Sequence, residues 1–342
     1  MKLERKDTYS VAIAGATGLV GRELLQILEE REFPVERLVL LASSESAGER
    51  MEYGSESVLV EVLDESKFKD VDIAFFCVGA RLSRYYAPKA VEAGCIVIDN
   101  SSAFRMEPDV PLVVPEVNPD DVDEHNGLIA NPNCSTIQMV VALKPLHDAA
   151  KVKRVVVSTY QSVSGWGKDA IDELAEQTIA IFNQREFSPQ VFPHQIAFNC
   201  IPHIDVLLEG GVFKEEDKMV KETKKILDPS IDVFATCVRL PIFHCHGEAL
   251  AVEFEKPIEP DEARDILRGA EGIEVVDDPA NAVYPTPVDC AGKDEVFVGR
   301  IRKDPTVPHG LGMWVVADNL RKGAALNAVQ IAELLIEKAG VH

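Results

Sequence analysis

Ser10-Val11-Ala12-Ile13-Ala14-Gly15-Ala16-Thr17-Gly18-Leu19-Val20-Gly21 is the stretch that decides the fold of this 342-residue chain. Its first five residues form an apolar strand pattern, and the segment 22–30 that follows it forms an amphipathic helix pattern. Glycines between a strand and a helix allow a tight turn and a close approach of a phosphate to the helix N-terminus. Such a turn can also be purely structural. Because another strand is predicted at 37–42, the stretch opens a strand–helix–strand unit that is typical of nucleotide-binding folds.

The alternation of strands and helices continues through the first half of the chain. Apolar strands are predicted at 72–78 and 95–98, with a helix at 82–92 between them. Apolar runs of this length between helices indicate a parallel, doubly wound sheet, whose ligands bind at the carboxyl ends of the strands. Arg105 follows the strand 95–98 and is therefore a candidate for an anion site, although a lone arginine is more often a solvated surface residue.

The second half of the chain has a different pattern. Strands are predicted at 153–160, 233–240, 250–254 and 295–301, and helices at 169–182, 215–227 and 324–338. This order is compatible with a sheet that carries helices on one side. We therefore predict an α/β protein. A doubly wound, Rossmann-like parallel-sheet domain spans residues 1–132 and is completed by the C-terminal segment 319–342, and an α+β domain spans residues 133–318.

The composition narrows the functional classes. The formal net charge of −22 disfavours nucleic-acid binding, and it means that an anion site must be built locally from a few basic residues or helix N-termini. No run approaches the roughly 20 apolar residues that span a membrane, and the N-terminus carries charges where a signal peptide has an apolar core. The seven cysteines are scattered without a Cys-x-x-Cys pair, so we expect no disulfide framework and a cytoplasmic location.

His244-Cys245-His246 raises the question of a metal site. On a strand, the two histidines would share one face and the cysteine would point away. Few other ligand-type residues lie nearby in the sequence, so we predict no metal here.

Asn131-Pro132-Asn133-Cys134-Ser135-Thr136 lies near the middle of the chain, before an apolar run at 137–143 that predicts a helix. Pro132 indicates a turn, and Asn133 and Ser135 are good helix N-caps, so Cys134 is placed at the helix N-terminus. Unpaired N–H groups and the helix dipole favour a thiolate there. Cys134 is thus a candidate nucleophile, whereas a lone cysteine in a turn is more often a small buried residue.

Three segments together resemble the aspartate-semialdehyde dehydrogenases. They are the segment around Cys134, the segment Gln161-Ser162-Val163-Ser164-Gly165, and Arg239-Leu240-Pro241 with His246 seven residues after the arginine. The likeness extends to Asp318-Asn319-Leu320-Arg321-Lys322-Gly323 and covers nearly the whole chain. It implies the reversible, NADPH-dependent reductive dephosphorylation of L-aspartyl 4-phosphate to L-aspartate 4-semialdehyde through a cysteine thioester, in the biosynthesis of lysine, threonine and methionine. It also implies a homodimer formed through the second domain, where an apolar sheet face could supply the interface.

The resemblance assigns roles to individual residues. Cys134 matches the family's nucleophile and His246 its acid/base, and Gln161 matches a residue that takes part in catalysis and contacts the substrate. The other substrate contacts are Arg239 for the amino-acid carboxylate, Arg105 and Lys218 for the phosphate, Glu215 for the amino group, and Asn133. The cofactor contacts are Gly15, Thr17, Gly18, Leu19, Val20, Ser43, Glu45, Ser46, Ser164, Gly165 and Asn319.

The residue types suit this chemistry. A thiolate can expel phosphate from an acyl phosphate and hold the acyl group as a thioester. A histidine with a pKa of about 6.5 suits the proton shuttle that hydride addition requires, and it would contribute about 10²–10⁴-fold. The planar fork of an arginine binds both oxygens of a carboxylate. Glu215 and Lys218 share one helix face and can meet ligand groups of opposite charge, although such a pair is usually a surface ion pair.

The chain departs from the family pattern at Ser43-Ser44-Glu45-Ser46. The family usually has Ser-x-Arg-Ser there, and the basic residue helps to hold the 2′-phosphate of NADP. Glu45 in its place should repel that phosphate, and an acidic residue near this strand end is typical of NAD binding. We favour NADP, with Glu45 pointing to solvent while the serines bind the phosphate, and NAD remains the alternative.

Two other functions remain open. Another acyl-phosphate reductase, such as one that acts on N-acetylglutamyl phosphate, would use the same nucleophile, but an acylated amine would not need Glu215 nearby. A non-catalytic homologue could keep the fold as a binding module. Such a protein would have no need to retain Cys134, His246, Gln161 and Arg239.

Overall fold

The computed structural model describes residues 2–340, which fold into two compact units. The first unit contains the described residues up to Asn133 and those from Ala324 onward, and the second unit is Cys134–Gly323. Within residues 2–340, no helix is both long and apolar enough to cross a membrane.

The first unit is built on a seven-stranded sheet. Its strands are β1 Tyr9–Ala14, β2 Val35–Ala42, β3 Arg50–Tyr53, β4 Glu56–Val62, β5 Ile73–Phe76, β6 Ile96–Asp99 and β7 Leu128–Ala130. They lie in the order β3-β4-β2-β1-β5-β6-β7, and every neighbouring pair is parallel except β3 with β4. Helix α1 (Leu19–Glu30) follows β1, and helix α2 (Ala80–Glu92) follows β5.

The second unit contains a six-stranded mixed sheet. Its helices are α3 Cys134–Ala150, α4 Lys168–Phe182, α5 Lys214–Ile226, α6 Pro260–Arg268 and α7 Pro287–Cys290, and its strands are β8 Val152–Gln161, β9 Asp232–Arg239, β10 His246–Phe254, β11 Ile273–Val275, β12 Val296–Asp304 and β13 Gly310–Ala317. The strand order is β11-β12-β13-β10-β8-β9, with β8 parallel to β9, β11 parallel to β12, and the other pairs antiparallel. The last helix, α8 (Leu326–Ala339), belongs to the first unit.

Helices cover both faces of the first sheet. Val11 and Ile13 of β1 belong to one buried apolar cluster with residues of α1 and α8, whereas Ala12 and Ala14 belong to another with residues of α2. Successive strand residues point to opposite faces, so the two clusters lie on opposite sides of the sheet. The doubly wound, Rossmann-like domain predicted from the sequence is confirmed.

Helices α3, α5 and α6 contact the strands of the second sheet. In β8, the residues at odd positions from Val155 to Gln161 are buried, whereas those at even positions are partly or fully exposed. The odd positions therefore face the helices, and Tyr160 and its neighbours form the other, more exposed face. This architecture confirms the predicted α+β class of the second domain.

Two glycines shape the turn between β1 and α1. Gly15 has a φ of +89°, and a Cβ built on it would lie 2.4 Å from the carbonyl oxygen of Cys77. A Cβ on Gly21 would lie 2.2 Å from the carbonyl oxygen of Gly15. Gly18 occupies the N-cap position, so no side chain caps the first N–H groups of α1. The turn thus has the compact backbone and the uncapped helix N-terminus that a nucleotide phosphate requires.

The helix predicted at 137–143 is longer than expected. α3 begins at Cys134 and continues through Pro145 to Ala150. Ser135 therefore lies inside the helix, and its interpretation as an N-cap is wrong. Most of α3 up to residue 143 is buried, which removed the polar face that would have marked its full length.

Strand β10 begins at His246, four residues before the predicted start at 250. His246 and Glu248 are polar and yet fully buried, so the first half of the strand lacks apolar alternation in the sequence. Strands β3 and β4 were not predicted, because about half of their residues are exposed and their apolar pattern is weak.

The variant Gly15→Ala is expected to destabilise the protein by more than the roughly 1–2 kcal/mol of a left-handed alanine alone. Its methyl group would also overlap the carbonyl oxygen of Cys77. Urea or thermal unfolding measures the loss. Gly94→Ala is the matched control, because Gly94 has a φ of +102° and nothing within 4 Å of the added Cβ. Equal losses in the two variants would contradict the steric argument.

Candidate active site

Arg239, Gln161 and His246 lie side by side across three strands of the second sheet. Gln161 at the end of β8 pairs with Arg239 at the end of β9 and with His246 at the start of β10. Residues that pair directly across strands point to the same face of a sheet. All three side chains are buried, with exposed fractions of 3% or less. We call these three residues the site rung.

His246 has a defined tautomer. The backbone N–H of Ser162 donates to Nδ1 of His246 at 3.1 Å, and the Ser162 hydroxyl lies 3.2 Å from the same atom. A backbone N–H can only donate, so Nδ1 is the acceptor and the proton of the neutral ring is on Nε2. Nε2 is buried, and no group of the described residues forms a hydrogen bond with it. His246 therefore presents an available Nε2–H donor.

The charge state of His246 follows from its surroundings. Complete burial and, to a smaller extent, the positive charge of Arg239 together lower the pKa of His246 to about 3. The nearby carboxylate of Glu215 opposes the shift without reversing it. The ring is therefore neutral near pH 7 in this state of the protein.

Arg239 and His246 both form hydrogen bonds with the main chain of Ser162. Its Nη1 donates to the carbonyl oxygen of Ser162 at 2.6 Å. Burial lowers the pKa of Arg239, whereas the negative charges of Glu215 and of an ionised Cys134 raise it. Arg239 thus interacts electrostatically with the candidate nucleophile and with the carboxylate next to Gln161.

Gln161 is held at both ends of its amide. The hydroxyl of Thr159 donates to Oε1 of Gln161 at 3.0 Å, and Nε2 of Gln161 donates to Glu215 at 3.1 Å. The Nζ of Lys218 contacts Glu215 at 3.1 Å and Asp205 at 2.7 Å. Gln161, Glu215 and Lys218 therefore form one connected group that starts at the site rung.

Cys134 is the first residue of α3 and is half-buried. The helix N-terminus favours a negatively charged sulfur at this position. A Cβ on Gly323 would lie only 3.0 Å from the Cβ of Cys134, so the backbone of Gly323 packs directly against the thiol side chain. The structure thus brings Cys134 into the same unit as the site rung.

Three predicted cofactor residues of the second unit lie beside His246. Oδ1 of Asn319 accepts from the hydroxyl of Ser162 at 3.0 Å and from the backbone N–H of Cys245 at 3.0 Å, and its Nδ2 donates to Ser164 at 3.0 Å. A Cβ on Gly165 would lie 3.1 Å from Nη1 of Arg239 and 3.2 Å from Nε2 of His246. Gly165 therefore leaves open the space in front of both side chains.

The other predicted cofactor and substrate residues belong to the first unit. Gly15, Thr17, Gly18, Leu19 and Val20 form the turn and the start of α1, and Ser43, Glu45 and Ser46 lie in the turn after β2. Glu45 is exposed. Arg105 is buried and donates to the carbonyl oxygens of Asn131 at 2.9 Å and Asn100 at 2.8 Å. Asn133 is buried and is the last residue of the first of the two segments that form this unit.

The interpretation of His244-Cys245-His246 as one strand is wrong. His244 is exposed in the loop before β10, Cys245 has a φ of +68°, and His246 begins the strand fully buried. Among residues 2–340, no group of three His, Cys, Asp or Glu side chains has the arrangement of a metal site.

Sequence reasoning missed several residues that support the site. They are Thr159, which orients Gln161; Ser162, which fixes the tautomer of His246; Asp205, which binds Lys218; Gly323, which packs on Cys134; and Gln138 and Glu248 beneath the rung. Thr159 could have been found, because it lies two residues before Gln161 on a predicted strand and therefore on the same face. The others depend on contacts between segments that are distant in the chain, which a single sequence does not reveal.

Two family models match the chain. The model described as "Semialdehyde dehydrogenase, NAD binding domain" matches residues 10–125, and the one described as "Semialdehyde dehydrogenase, dimerisation domain" matches residues 143–322. With a cysteine at a helix N-terminus in the same unit as the site rung, they define an oxidoreductase of the semialdehyde dehydrogenase class that has an NAD-binding domain.

Individual relatives narrow the assignment. The chain is 58% identical over 335 residues to an aspartate-semialdehyde dehydrogenase of Aquifex aeolicus, covering 96% of this chain and 98% of the relative. A crystal structure of aspartate semialdehyde dehydrogenase II from Vibrio cholerae complexed with ASA has a TM-score of 0.95 and 52% identity, covering 97% of this chain and 99% of that chain. The structure of an aspartate semialdehyde dehydrogenase with NADP from Candida albicans has a TM-score of 0.73 and 26% identity, covering 96% and 98% of the two chains. This chain belongs to the aspartate-semialdehyde dehydrogenase family, which confirms the resemblance found in the sequence.

The ring of His246 is expected to stay neutral, with its proton on Nε2, throughout the range from about pH 5 to about pH 8. Burial and Arg239 lower its pKa to about 3, and the N–H of Ser162 occupies Nδ1. Nitrogen-15 NMR of histidine-labelled protein detects the tautomer directly, and His246→Gln identifies the signal. A ring that takes up a proton within this range, or one protonated at Nδ1, would contradict this prediction.

Proposed function

We propose that the chain catalyses the reversible, NADP-dependent interconversion of L-aspartyl 4-phosphate and L-aspartate 4-semialdehyde through a thioester of Cys134. The observation that carries the proposal is the site rung, which places a buried arginine, an amide and a histidine with an available Nε2–H in one row. The same unit holds a cysteine at a helix N-terminus. Membership of the family and the ASA complex of the Vibrio cholerae relative agree with it.

The polar ends of an aspartyl group match the charges around the rung. Arg239 carries a buried positive charge that suits the α-carboxylate, and Glu215 carries a buried carboxylate that suits an amino group. Gln161 lies between them and contacts Glu215. We assign Arg239 to the carboxylate, Glu215 to the amino group, and Gln161 to the positioning of the acyl part.

Phosphate recognition is assigned to Lys218 and Arg105, with Asn133 as a further substrate contact. Lys218 is held between Asp205 and Glu215, so its ammonium group has a fixed position before any ligand arrives. Arg105 donates to two main-chain carbonyl groups, which orient its guanidinium. In a chain with a net charge of −22, an anion site depends on such locally placed basic side chains.

The chemical steps follow from these groups. The Cys134 thiolate attacks the acyl carbon, the carbon–sulfur bond forms, and the carbon–oxygen bond to phosphate breaks. The nicotinamide nucleotide, when bound, supplies the hydride that reduces the thioester. Negative charge then develops on the former carbonyl oxygen, and the Nε2–H of His246 donates a hydrogen bond to it. Breakage of the carbon–sulfur bond releases the aldehyde and restores the thiolate.

The first unit fits a nicotinamide nucleotide. Its turn excludes side chains at Gly15 and Gly21, and the N-terminus of α1 is not capped by a side chain. Thr17, Gly18, Leu19 and Val20 would hold the pyrophosphate there. Ser43 and Ser46 flank the exposed Glu45 and offer hydroxyl groups to a 2′-phosphate, which favours NADP. Ser164, Gly165 and Asn319 are assigned to the nicotinamide end.

A homodimer is proposed through the second unit. The dimerisation-domain model covers it, and the sheet face opposite α3 exposes apolar side chains, with Phe234 63% exposed. Tyr160 and Trp314 meet edge to face on this surface at a ring distance of 5.3 Å. A second copy of the chain would bury these aromatic groups.

The variant Cys134→Ala is expected to abolish turnover while leaving nucleotide binding unchanged, because only the thiolate forms the thioester. The assay is phosphate-dependent reduction of NADP by purified protein with L-aspartate 4-semialdehyde. Cys200→Ala is the matched control, because Cys200 is an exposed free cysteine, and it should retain full activity.

Three results would contradict parts of the proposal. Absence of turnover in the wild-type protein would refute the enzyme assignment and leave the non-catalytic homologue. Retained activity in Cys134→Ala would move the nucleophile elsewhere. Turnover of N-acetylglutamate semialdehyde in preference to L-aspartate 4-semialdehyde would contradict the role of Glu215.

The variant Glu45→Arg is expected to lower the KM for NADP by about threefold to tenfold, because it replaces a repulsive charge with an attractive one at an exposed position. The KM for NAD should change little, and the effect should weaken at high salt. Glu56→Arg, an exposed substitution at the start of β4, controls for the change in net charge. An unchanged or raised KM for NADP would mean that Glu45 does not face the 2′-phosphate.

A further inference from the structure

Two buried polar side chains lie one layer beneath the site rung. Glu248 is two residues after His246 on β10, and both its oxygens are buried. It pairs across the sheet with Thr159, the residue that orients Gln161. Gln138 is fully buried on α3, one helical turn after Cys134 and therefore on the same side of the helix. The proposed mechanism uses neither side chain.

Glu248 and Gln138 have buried hydrogen-bond acceptors for which no donor is present among residues 2–340. Nε2 of Gln138 donates to the carbonyl oxygen of His246 at 3.3 Å, so Gln138 joins the nucleophile helix to the strand of the acid/base histidine. Among residues 2–340, no donor has hydrogen-bond geometry to Oε1 of Gln138 or to either oxygen of Glu248. Three buried acceptor atoms thus lack a proton donor.

A proton on Glu248 resolves this imbalance. A buried carboxylate without donors is strongly unfavourable, whereas a neutral carboxyl group is itself a donor. The amide of Gln138 lies close enough to the carboxyl group of Glu248 to lower the pKa of that group in part, and in the amide orientation described here Oε1 of Gln138 accepts no hydrogen bond. A neutral Glu248 would therefore donate to Oε1 of Gln138 and complete the chain Glu248–Gln138–His246.

The electrostatic surroundings favour the same state. Burial raises the pKa of Glu248 well above its usual range, Glu215 of α5 raises it further, and Gln138 opposes the shift in part. The other titratable groups nearby are Cys237 of β9 and His246, which lies on β10 with Glu248. Both are neutral near pH 7, because burial raises the pKa of Cys237 and lowers that of His246. The pairing residues Thr159 and Val315 carry no charge.

We propose that Glu248 is a permanently protonated carboxylic acid that acts with Gln138 as a positioning pair, fixing the helix of Cys134 relative to the strand of His246. The positioning role rests on the proposed function, since it concerns the distance between the nucleophile and the proton donor. The protonation state does not depend on it. Neither residue touches the reacting atoms.

Glu173 provides the matched contrast. It is also a buried glutamate, but its carboxylate accepts from the backbone N–H groups of Gln190 at 2.7 Å, Val191 at 2.5 Å and Phe192 at 3.4 Å, and from Gln177 at 3.0 Å. An amide in place of Glu173 would turn an NH₂ group toward these donors. An amide in place of Glu248 would supply the donor that the site lacks.

The first experiment measures stability against pH for the full-length wild-type protein, Glu248→Gln and Glu173→Gln. The unfolded chain releases the proton of Glu248 at its ordinary pKa, whereas the folded protein keeps it. Stability is therefore lost as pH rises above about 5, by up to about tenfold in the folding equilibrium constant per pH unit. Glu248→Gln lacks this loss, so its advantage over wild type should grow from pH 5 to pH 8, and Glu173→Gln should be less stable than wild type throughout.

The second experiment tests positioning by kinetics. Glu248→Leu and Gln138→Leu should each lower kcat by at least about tenfold with the KM for NADP unchanged, and the double variant should lose little more than either single one. Glu248→Gln should recover most of the kcat that Glu248→Leu loses. A merely structural role would not produce rescue by the neutral isostere together with an unchanged KM.

Two outcomes overturn the inference. If Glu248→Gln gains no stability over wild type between pH 5 and pH 8, Glu248 is ionised. If Glu248→Gln is as slow as Glu248→Leu, the pair does not position the nucleophile. Should wild type show no turnover at all, the proposed function fails, and the stability experiment still decides the protonation of Glu248.

Discussion

The peptide groups of Ser162 are the constraint on which the candidate site depends. The carbonyl oxygen of Ser162 accepts from Arg239, and its N–H donates to His246. Both contacts require that β8, β9 and β10 pair in one register, because a slip of a single residue would turn Gln161 and its neighbours to the opposite face. The strand pairing therefore determines the tautomer of the histidine, the direction of the arginine and the position of the amide together.

This strand pairing explains why so many polar side chains are buried around the site rung. Isolated buried polar groups destabilise a fold, and each must find a partner. Around the rung, Thr159 satisfies Gln161, Gln161 and Lys218 share Glu215, and Asn319 connects Ser162 with Ser164. Within residues 2–340, Nε2 of His246 has no hydrogen-bond partner, and neither do Oε1 of Gln138 and the oxygens of Glu248, so these atoms are informative. The first faces the space kept open by Gly165, and the others lie in the layer beneath.

The sequence predicted the parts of the fold that follow from local patterns. The glycine turn and the helices α1, α2, α4 and α5 lay within three residues of their predicted bounds, because each has a clear period or a strong terminal signal. The same holds for the strands β1, β2, β5, β6, β8 and β9. The first half of β10 was missed because its inward residues are the polar ones of the site. Ser162 and Glu248 could not be recognised, since their importance arises from neighbours on other strands.

The two ends of the proposed nucleotide site differ in how firmly the chain specifies them. At the pyrophosphate end, a side chain at Gly15 or Gly21 would collide with main-chain atoms, so the binding geometry is part of the fold. At the ribose end, Glu45 is a solvent-exposed side chain in a turn. A charge surrounded by water repels a phosphate 4 Å away by only about 1 kcal/mol, and salt weakens this further. Hydroxyl groups from Ser43 and Ser46 can offset a penalty of that size, so an acidic residue at this position does not by itself select NAD over NADP.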